Sequence, residues 1–110
     1  MSGPNAADRR AQAAIAQQLA NIGFALPGSL LERRMSCGKP GCRCQADPPQ
    51  LHGPYHQWTR KIDGKTRTRR LTPEQAELYR PWFNNARQLR DLINELEALS
   101  LRIFERNEDT

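Results

Sequence analysis

The sequence predicts a small α+β protein: an N-terminal helix, a cysteine-rich knuckle, a short β-hairpin or three-stranded sheet, and a long C-terminal helix. Three observations lead there. Three cysteines crowd into eight positions among glycines and prolines, Asp63-Gly64 interrupts two runs of alternating side chains, and leucines recur every three or four residues from Leu89 onward. At 110 residues, 37% of them hydrophobic and with a mean hydropathy of -0.81, the chain has room for one small domain with helical arms but not for a large buried core. An enzyme built around a deep apolar pocket is therefore not expected. Composition divides the chain into an N-terminal helix arm (1–27), the knuckle with a basic β-ribbon (28–72) and a Leu-rich C-terminal helix (73–110).

Residues 6–22 read as a helix. Asn5 is placed to cap it, Asp8 falls in the first turn where the helix dipole favours an anion, and Gly23 is the expected C-terminal cap. Its apolar stripe is thin, with Ile15, Leu19 and Ile22 among alanines, so the helix needs a partner surface. After Pro27-Gly28, residues 30–36 suggest a short strand with Leu31 and Met35 on one side and Arg33 between them. Residues 37–53 are irregular by composition, and something other than an apolar core has to order them.

Residues 54–71 read as a β-hairpin. Asp63-Gly64 suits a two-residue type I′ turn, whose central positions both need positive φ. That turn pairs Ile62 with Lys65, Arg60 with Arg67, Trp58 with Arg69 and His56 with Leu71. Because side chains alternate along a strand, these eight share one face. Tyr55, Gln57, Thr59, Lys61, Thr66, Thr68, Arg70 and Thr72 take the other.

Thr72-Pro73-Glu74-Gln75 opens a second helix, with Thr72 as cap, Pro73 at the first helical position and Gln75 completing a capping box. Pro81 lacks an N–H and is expected to kink that helix or to start another at Trp82. Leu89, Leu92, Leu96, Leu99 and Ile103 then form a coiled-coil-like seam of about two heptads, widened by Ile93, Leu78, Trp82 and Phe83. The seam can fold on the N-terminal helix or zip with a second subunit. The thin N-terminal stripe favours a homodimer through residues 82–104.

The knuckle carries the chemistry. Cys37-x4-Cys42-x-Cys44 is followed by His52 and then His56. Three thiolates and one imidazole complete the tetrahedral shell of a structural zinc ion, and Zn2+ bound by Cys37, Cys42, Cys44 and His52 is the reading the spacing supports best. Cys42 and Cys44 would diverge in an extended strand, so joint ligation requires a turn between them. His52 precedes Gly53-Pro54 in irregular backbone and can reach back to the sulfurs, whereas His56 falls inside the hairpin. Three alternatives stay open: exposed loop thiols, a redox or disulfide pair activated by Lys39 and Arg43, and an iron–sulfur cluster short of its fourth thiolate. Three cysteines this close, in a chain without a signal-peptide block in residues 1–30, fit a reducing, cytoplasmic setting better than a disulfide framework. No apolar run reaches the ~18–20 residues that cross a bilayer, and no membrane partner is expected.

Charge is concentrated next to the cysteines. Residues 32–70 hold ten Lys/Arg against three Asp/Glu, a net of +7, whereas residues 71–110 are net -3 with five against eight. On one hairpin face Arg60, Lys65, Arg67 and Arg69 accompany Trp58. This combination suits nucleic acid: Arg for phosphates or guanine edges, Trp for stacking on an unpaired base, and a two-stranded ribbon for the major groove of DNA. Arg33, Arg34, Lys39, Arg43, Lys61 and Arg70 extend the footprint. The competing readings are a Trp58 that covers a small core beneath arginines, a charged face that guards a sheet edge, and an acidic protein partner. No Ser/His/Asp or paired-carboxylate set is present, and enzyme activity is not expected.

Gly28-Ser29-Leu30, Arg33-Arg34-Met35, Cys37-Gly38-Lys39-Pro40-Gly41-Cys42-Arg43-Cys44, His52-Gly53-Pro54-Tyr55 and Gly64-Lys65 resemble a family of small bacterial proteins of unknown function with a CGKPxCRC…HGPYxxW signature. The likeness covers roughly residues 28–100. It implies Cys37, Cys42, Cys44 and His52 as the signature positions and brings no established activity or ligand. It also implies, through members encoded near mobile elements, a regulatory or mobile-element accessory role. The expectation is thus a zinc-stabilised nucleic-acid-binding protein with DNA as its partner. The runners-up are a protein-interaction or dimerisation module using the C-terminal helix, and a thiol redox sensor.

Overall fold

A computed structural model describes residues 3–108. Along the chain run α1 (Ala6–Ala20), β1 (Ser29–Met35), a 3-10 turn (Arg43–Gln45), β2 (His52–Ile62), β3 (Lys65–Leu71) and α2 (Pro73–Glu108). The α+β class and each predicted element are present, with the sheet in its three-stranded form, antiparallel in the order β1-β2-β3. The chain separates into two compact units: residues 26–83, and the segment ending at Ala25 together with the segment beginning at Asn84.

In the sheet unit the hairpin register follows the turn. Asp63 and Gly64 adopt φ of 51° and 77°, and the pairs His56–Leu71, Trp58–Arg69, Arg60–Arg67 and Ile62–Lys65 form as expected. β2 begins at His52, two residues before the predicted start. It gains β1 as a second neighbour through Leu30–Trp58 and Glu32–His56, so its first residues have a partner strand. The inward residue of β1 is the half-buried Leu30, not Leu31, because Leu30 stands opposite Trp58; Leu31 is exposed. Leu71, Ala76 and Phe83 are buried, and the Trp58 indole meets the Phe83 ring edge-on at 5.9 Å between centroids. This small core joins one face of the sheet to the first turns of α2. Gly28 (φ 87°) approaches the Thr59 carbonyl so closely that a Cβ there would collide with backbone.

The predicted capping box at Thr72 forms: Gln75 N–H donates to Thr72 Oγ1 (3.0 Å), and Thr72 N–H donates to Gln75 Oε1 (2.9 Å). Pro81 does not end or restart the helix, since α2 continues for 36 residues. Proline removes one i→i−4 bond, and the carbonyl it leaves belongs to Glu77. Both Pro81 and Glu77 are exposed, so this break in the bonding ladder falls on the outer side of the helix and not in the core.

In the helix-pair unit, α1 and the second half of α2 run antiparallel. Asn85 Nδ2–H donates to the Phe24 carbonyl (2.8 Å) near one end. At the other, Arg106 bonds both oxygens of the Asp8 carboxylate and Asn107 reaches the Gly3 carbonyl. Leu92 and Leu99 are 2% and 6% exposed. The leucine seam is therefore covered within one chain, and the α1 stripe is less inadequate than its composition suggests. Asp8 does more than oppose the dipole. It completes a reciprocal capping box with Asn5 and takes the ion pair, which holds its carboxyl below the ordinary 3.8. The C-cap of α1 is Asn21, not Gly23. A Cβ on Gly23 would lie 3.3 Å from Asn85 Nδ2, so this glycine serves the approach of α2 instead. No helix among the described residues is long and apolar enough to cross a membrane.

Candidate metal centre

The sheet sets up the site. Met35 pairs with His52 across a register irregularity between Arg33 and Met35, which re-aims the end of β1. Cys37 stands two residues beyond that pair, beside the start of β2. Gly53 carries φ 119°, and a Cβ there would lie 2.8 Å from the Arg33 carbonyl oxygen, so only glycine fits next to the imidazole. The remaining two sulfurs come from a loop built by turns. Cys42 N–H bonds Lys39 O (3.3 Å), with Pro40 and Gly41 (φ 82°) between them in the type II pattern of proline followed by a positive-φ glycine. The 3-10 turn follows, with Gln45 N–H on Cys42 O (2.8 Å) and Ala46 N–H on Arg43 O (3.1 Å). This is the bend between Cys42 and Cys44 that joint ligation demands.

Cys37, Cys42, Cys44 and His52 thereby converge, with all four donor atoms within 4.8 Å of one another. Cys37 Sγ and Cys44 Sγ are 3.5 Å apart, and Cys42 Sγ is 3.2 Å from His52 Nε2. Ligands held at ~2.3 Å (sulfur) and ~2.0 Å (nitrogen) around a tetrahedral ion sit about 3.5–3.8 Å apart, a spacing that falls between these two close pairs and the 4.8 Å limit of the cluster. All three cysteines are free thiols, and Cys44 is buried at 3% exposure.

The electrostatics suit a cation. The Cys37 N–H points at Cys44 Sγ (3.4 Å), and this backbone bond, helped by Cys42, Cys37 and His52, outweighs burial and brings the Cys44 thiol down from 9.0 to about 6. Gln45 Nε2–H adds a longer contact at 3.8 Å. Cys44 is thus a ready thiolate at neutral pH. The Lys39 N–H also favours a charged Cys37, but the Cys44 thiol, burial and Cys42 together push Cys37 upward. The two thiols divide one easily lost proton, as expected of sulfurs poised for a shared counter-charge. His56, by contrast, lies inside β2 opposite Glu32 and Leu71 and is outside the cluster.

The basic residues predicted for nucleic acid are brought onto one face by the register, but Trp58 is not the open platform its sequence context suggests. Its Nε1–H donates to the Pro27 carbonyl (2.8 Å), its edge contact with Phe83 fixes the ring, and the Arg60 guanidinium carbon lies 4.2 Å from the ring centroid. Trp58 packs first. Arg67 stands directly opposite Arg60, Arg69 opposite Trp58, and Lys65 opposite Ile62 beside the turn. Among the described residues the sole ion pair is Asp8–Arg106, so none of these cations is neutralised by a carboxylate. The structure adds a second stacked pair: Arg70 lies 4.0 Å over the Tyr55 ring on the opposite face. Alternation places both on that face, and the register, with Arg70 opposite Gln57, makes Tyr55 its diagonal neighbour.

Residues 6–80 match a protein family described as a domain of unknown function (DUF6788). The match begins and ends earlier than the 28–100 stretch suggested by the motif resemblance, and it includes α1, the cysteine cluster and the whole sheet. No curated protein and no solved structure matches the chain.

Proposed function

We propose, for a chain that belongs to the DUF6788 family, a zinc-ordered nucleic-acid-binding function, with DNA as the expected partner and a regulatory or mobile-element accessory setting. Zinc is the ion chosen by the donor set: three thiolates and one imidazole in a closed shell, with no place reserved for a reacting water. In that shell Cys37, Cys42, Cys44 and His52 are spent on structure, which favours binding over catalysis.

The observation that carries the nucleic-acid half is the unneutralised sheet. Directly opposed like charges weaken a strand pair, yet Arg60 faces Arg67 with Lys65 and Arg69 close by and, among the described residues, no acid paired to any of them. A polyanion relieves that repulsion. Arg60 stacks on Trp58 with its guanidinium carbon 4.2 Å from the ring centroid, and a guanidinium stacked through its face can still offer its in-plane N–H groups to phosphate.

Zinc per chain in purified protein tests the first half, and one equivalent is expected. Salt titration of DNA binding tests the second. Log affinity should fall linearly with log salt, and Lys65→Ala with Arg67→Ala should flatten the slope by about 2, at ~0.9 for each phosphate no longer neutralised. No binding at low salt would overturn the reading. A second reading, a protein contact or homodimer through residues 82–104, draws on Ile93, Leu101 and Phe104, which are 44%, 56% and 62% exposed and share one arc of α2. Sedimentation of the chain and of Phe104→Glu separates it: only a dimer using this arc would dissociate on substitution.

A further inference from the structure

We propose that the cleft where β2, β3 and the first turns of α2 meet is a slot for one unstacked nucleobase, with guanine preferred, in a single-stranded stretch of the bound nucleic acid. The proposal rests on the nucleic-acid reading above and adds what that reading lacks, a place where a base rather than a phosphate is recognised.

The cleft has a volume of about 280 Å³. That lies just under the ~300–1,000 Å³ of pockets for drug-sized ligands, so it suits a single flat ring system. Three of its walls are aromatic, Trp58, Tyr79 and Trp82, with Leu26 and Leu71 completing the apolar lining. These rings are held before any ligand arrives. Trp58 is tied to Pro27 and set against Phe83, Tyr79 meets Trp82 edge-on at 5.0 Å and 78°, and Leu26 N–H donates to the Trp82 carbonyl at 3.2 Å. Rigid aromatic walls are what a stacked base exploits.

The two polar groups lining the cleft are Arg69 and Gln75, and both offer donors. Arg69 has no carboxylate partner among the described residues. The Gln75 Oε1 is occupied by the Thr72 N–H, which leaves its amide N–H2 as the free end. A flat ligand with acceptors along one edge answers both. Guanine alone among the bases places two adjacent acceptors, O6 and N7, where a planar guanidinium can take both.

The chain supplies its own reporters, because its only two tryptophans, Trp58 and Trp82, both line the cleft. Metal-loaded full-length protein is titrated with a short labelled oligothymidylate carrying one internal guanine and with the same strand carrying an abasic site there. Anisotropy gives affinity, and tryptophan quenching reports entry. The guanine strand is expected to bind roughly 5- to 150-fold tighter than the abasic strand, the range that stacking one base on aromatic side chains produces, and to quench more strongly. Arg69→Ala should shrink that margin several-fold, to what stacking on the aromatic walls gives by itself. Arg69→Lys should keep the salt slope without restoring the margin, since a point charge cannot replace the fork. Equal binding of both strands with a steep salt dependence overturns the slot and leaves the nucleic-acid reading intact. No binding of any strand or duplex at low salt overturns both. A margin that Arg69→Ala leaves unchanged overturns the slot as described. The comparison of strands uses the unaltered protein, so it does not depend on how any variant folds.

Discussion

Residues 26–83 and the helix pair are ordered by different physical means. The helix pair uses the ordinary ones: Leu92 and Leu99 buried on α2, a reciprocal capping box at Asn5 and Asp8, and a carboxylate–guanidinium pair joining α1 to the far end of α2. The sheet unit buries only a handful of side chains, and the loop from Cys37 to Leu51 has glycines, prolines and charges where a core would need leucines. Turns in that loop bring its three sulfurs beside His52 at the start of β2, close enough to hold a metal ion, and in the proposed reading that ion supplies the cohesion. A segment can therefore be built either around apolar area or around a point charge. The second way frees its surface to be basic, because it need not hide an apolar face.

The largest test of that contrast is removal of the metal. Structural zinc contributes apparent binding energies of ~10–16 kcal/mol in zinc-finger peptides, so chelation or Cys44→Ser should disorder the knuckle and loosen the start of β2. Amide exchange resolved along the chain would show protection lost over 37–54 and kept in α1 and the second half of α2. Equal loss in both, or none in either, would erase the distinction. Acid should act in the same direction, because protons compete with the metal for thiolates.

Next in size is the apolar side. Leu92→Ala removes a side chain 2% exposed and should destabilise the helix pair by ~2–5 kcal/mol, while Leu101→Ala, at a site 56% exposed, should stay within ~0.5 kcal/mol. Zinc content should be unchanged in both variants. Chemical denaturation with parallel metal analysis measures the two responses.

The smallest expected effect concerns the ion pair. The Arg106 hydrogen bond, with the Asn5 backbone N–H, lowers the Asp8 pKa, so Asp8 is more acidic folded than unfolded. Its stabilising contribution is complete above the ordinary 3.8 and disappears as pH falls through the lower folded value. Asp8→Asn should accordingly reduce stability by the same amount at pH 5 and pH 7, with the difference from the native chain shrinking below pH 3.8. A difference that grows on acidification would contradict the pairing. The metal centre should not respond to this substitution at all.

Sequence by itself determined the features governed by neighbours in the chain. Asp63-Gly64 fixed the turn and thereby every pair of the hairpin, Thr72 and Gln75 fixed the start of α2, and the cysteine spacing with His52 identified the cluster. Each depends on local backbone geometry or on ligand chemistry, both readable over a few residues. Tertiary structure decided the rest. It made Trp58 a packed residue through Pro27 and Phe83, which lie 31 and 25 positions away. It kept α2 continuous at Pro81, on an exposed part of the helix, and it paired Asp8 with Arg106 across nearly the full length of the chain. How much of a side chain is used in packing and how much is left to line a cleft depends on surfaces that meet only after folding, and no spacing in the sequence encodes that.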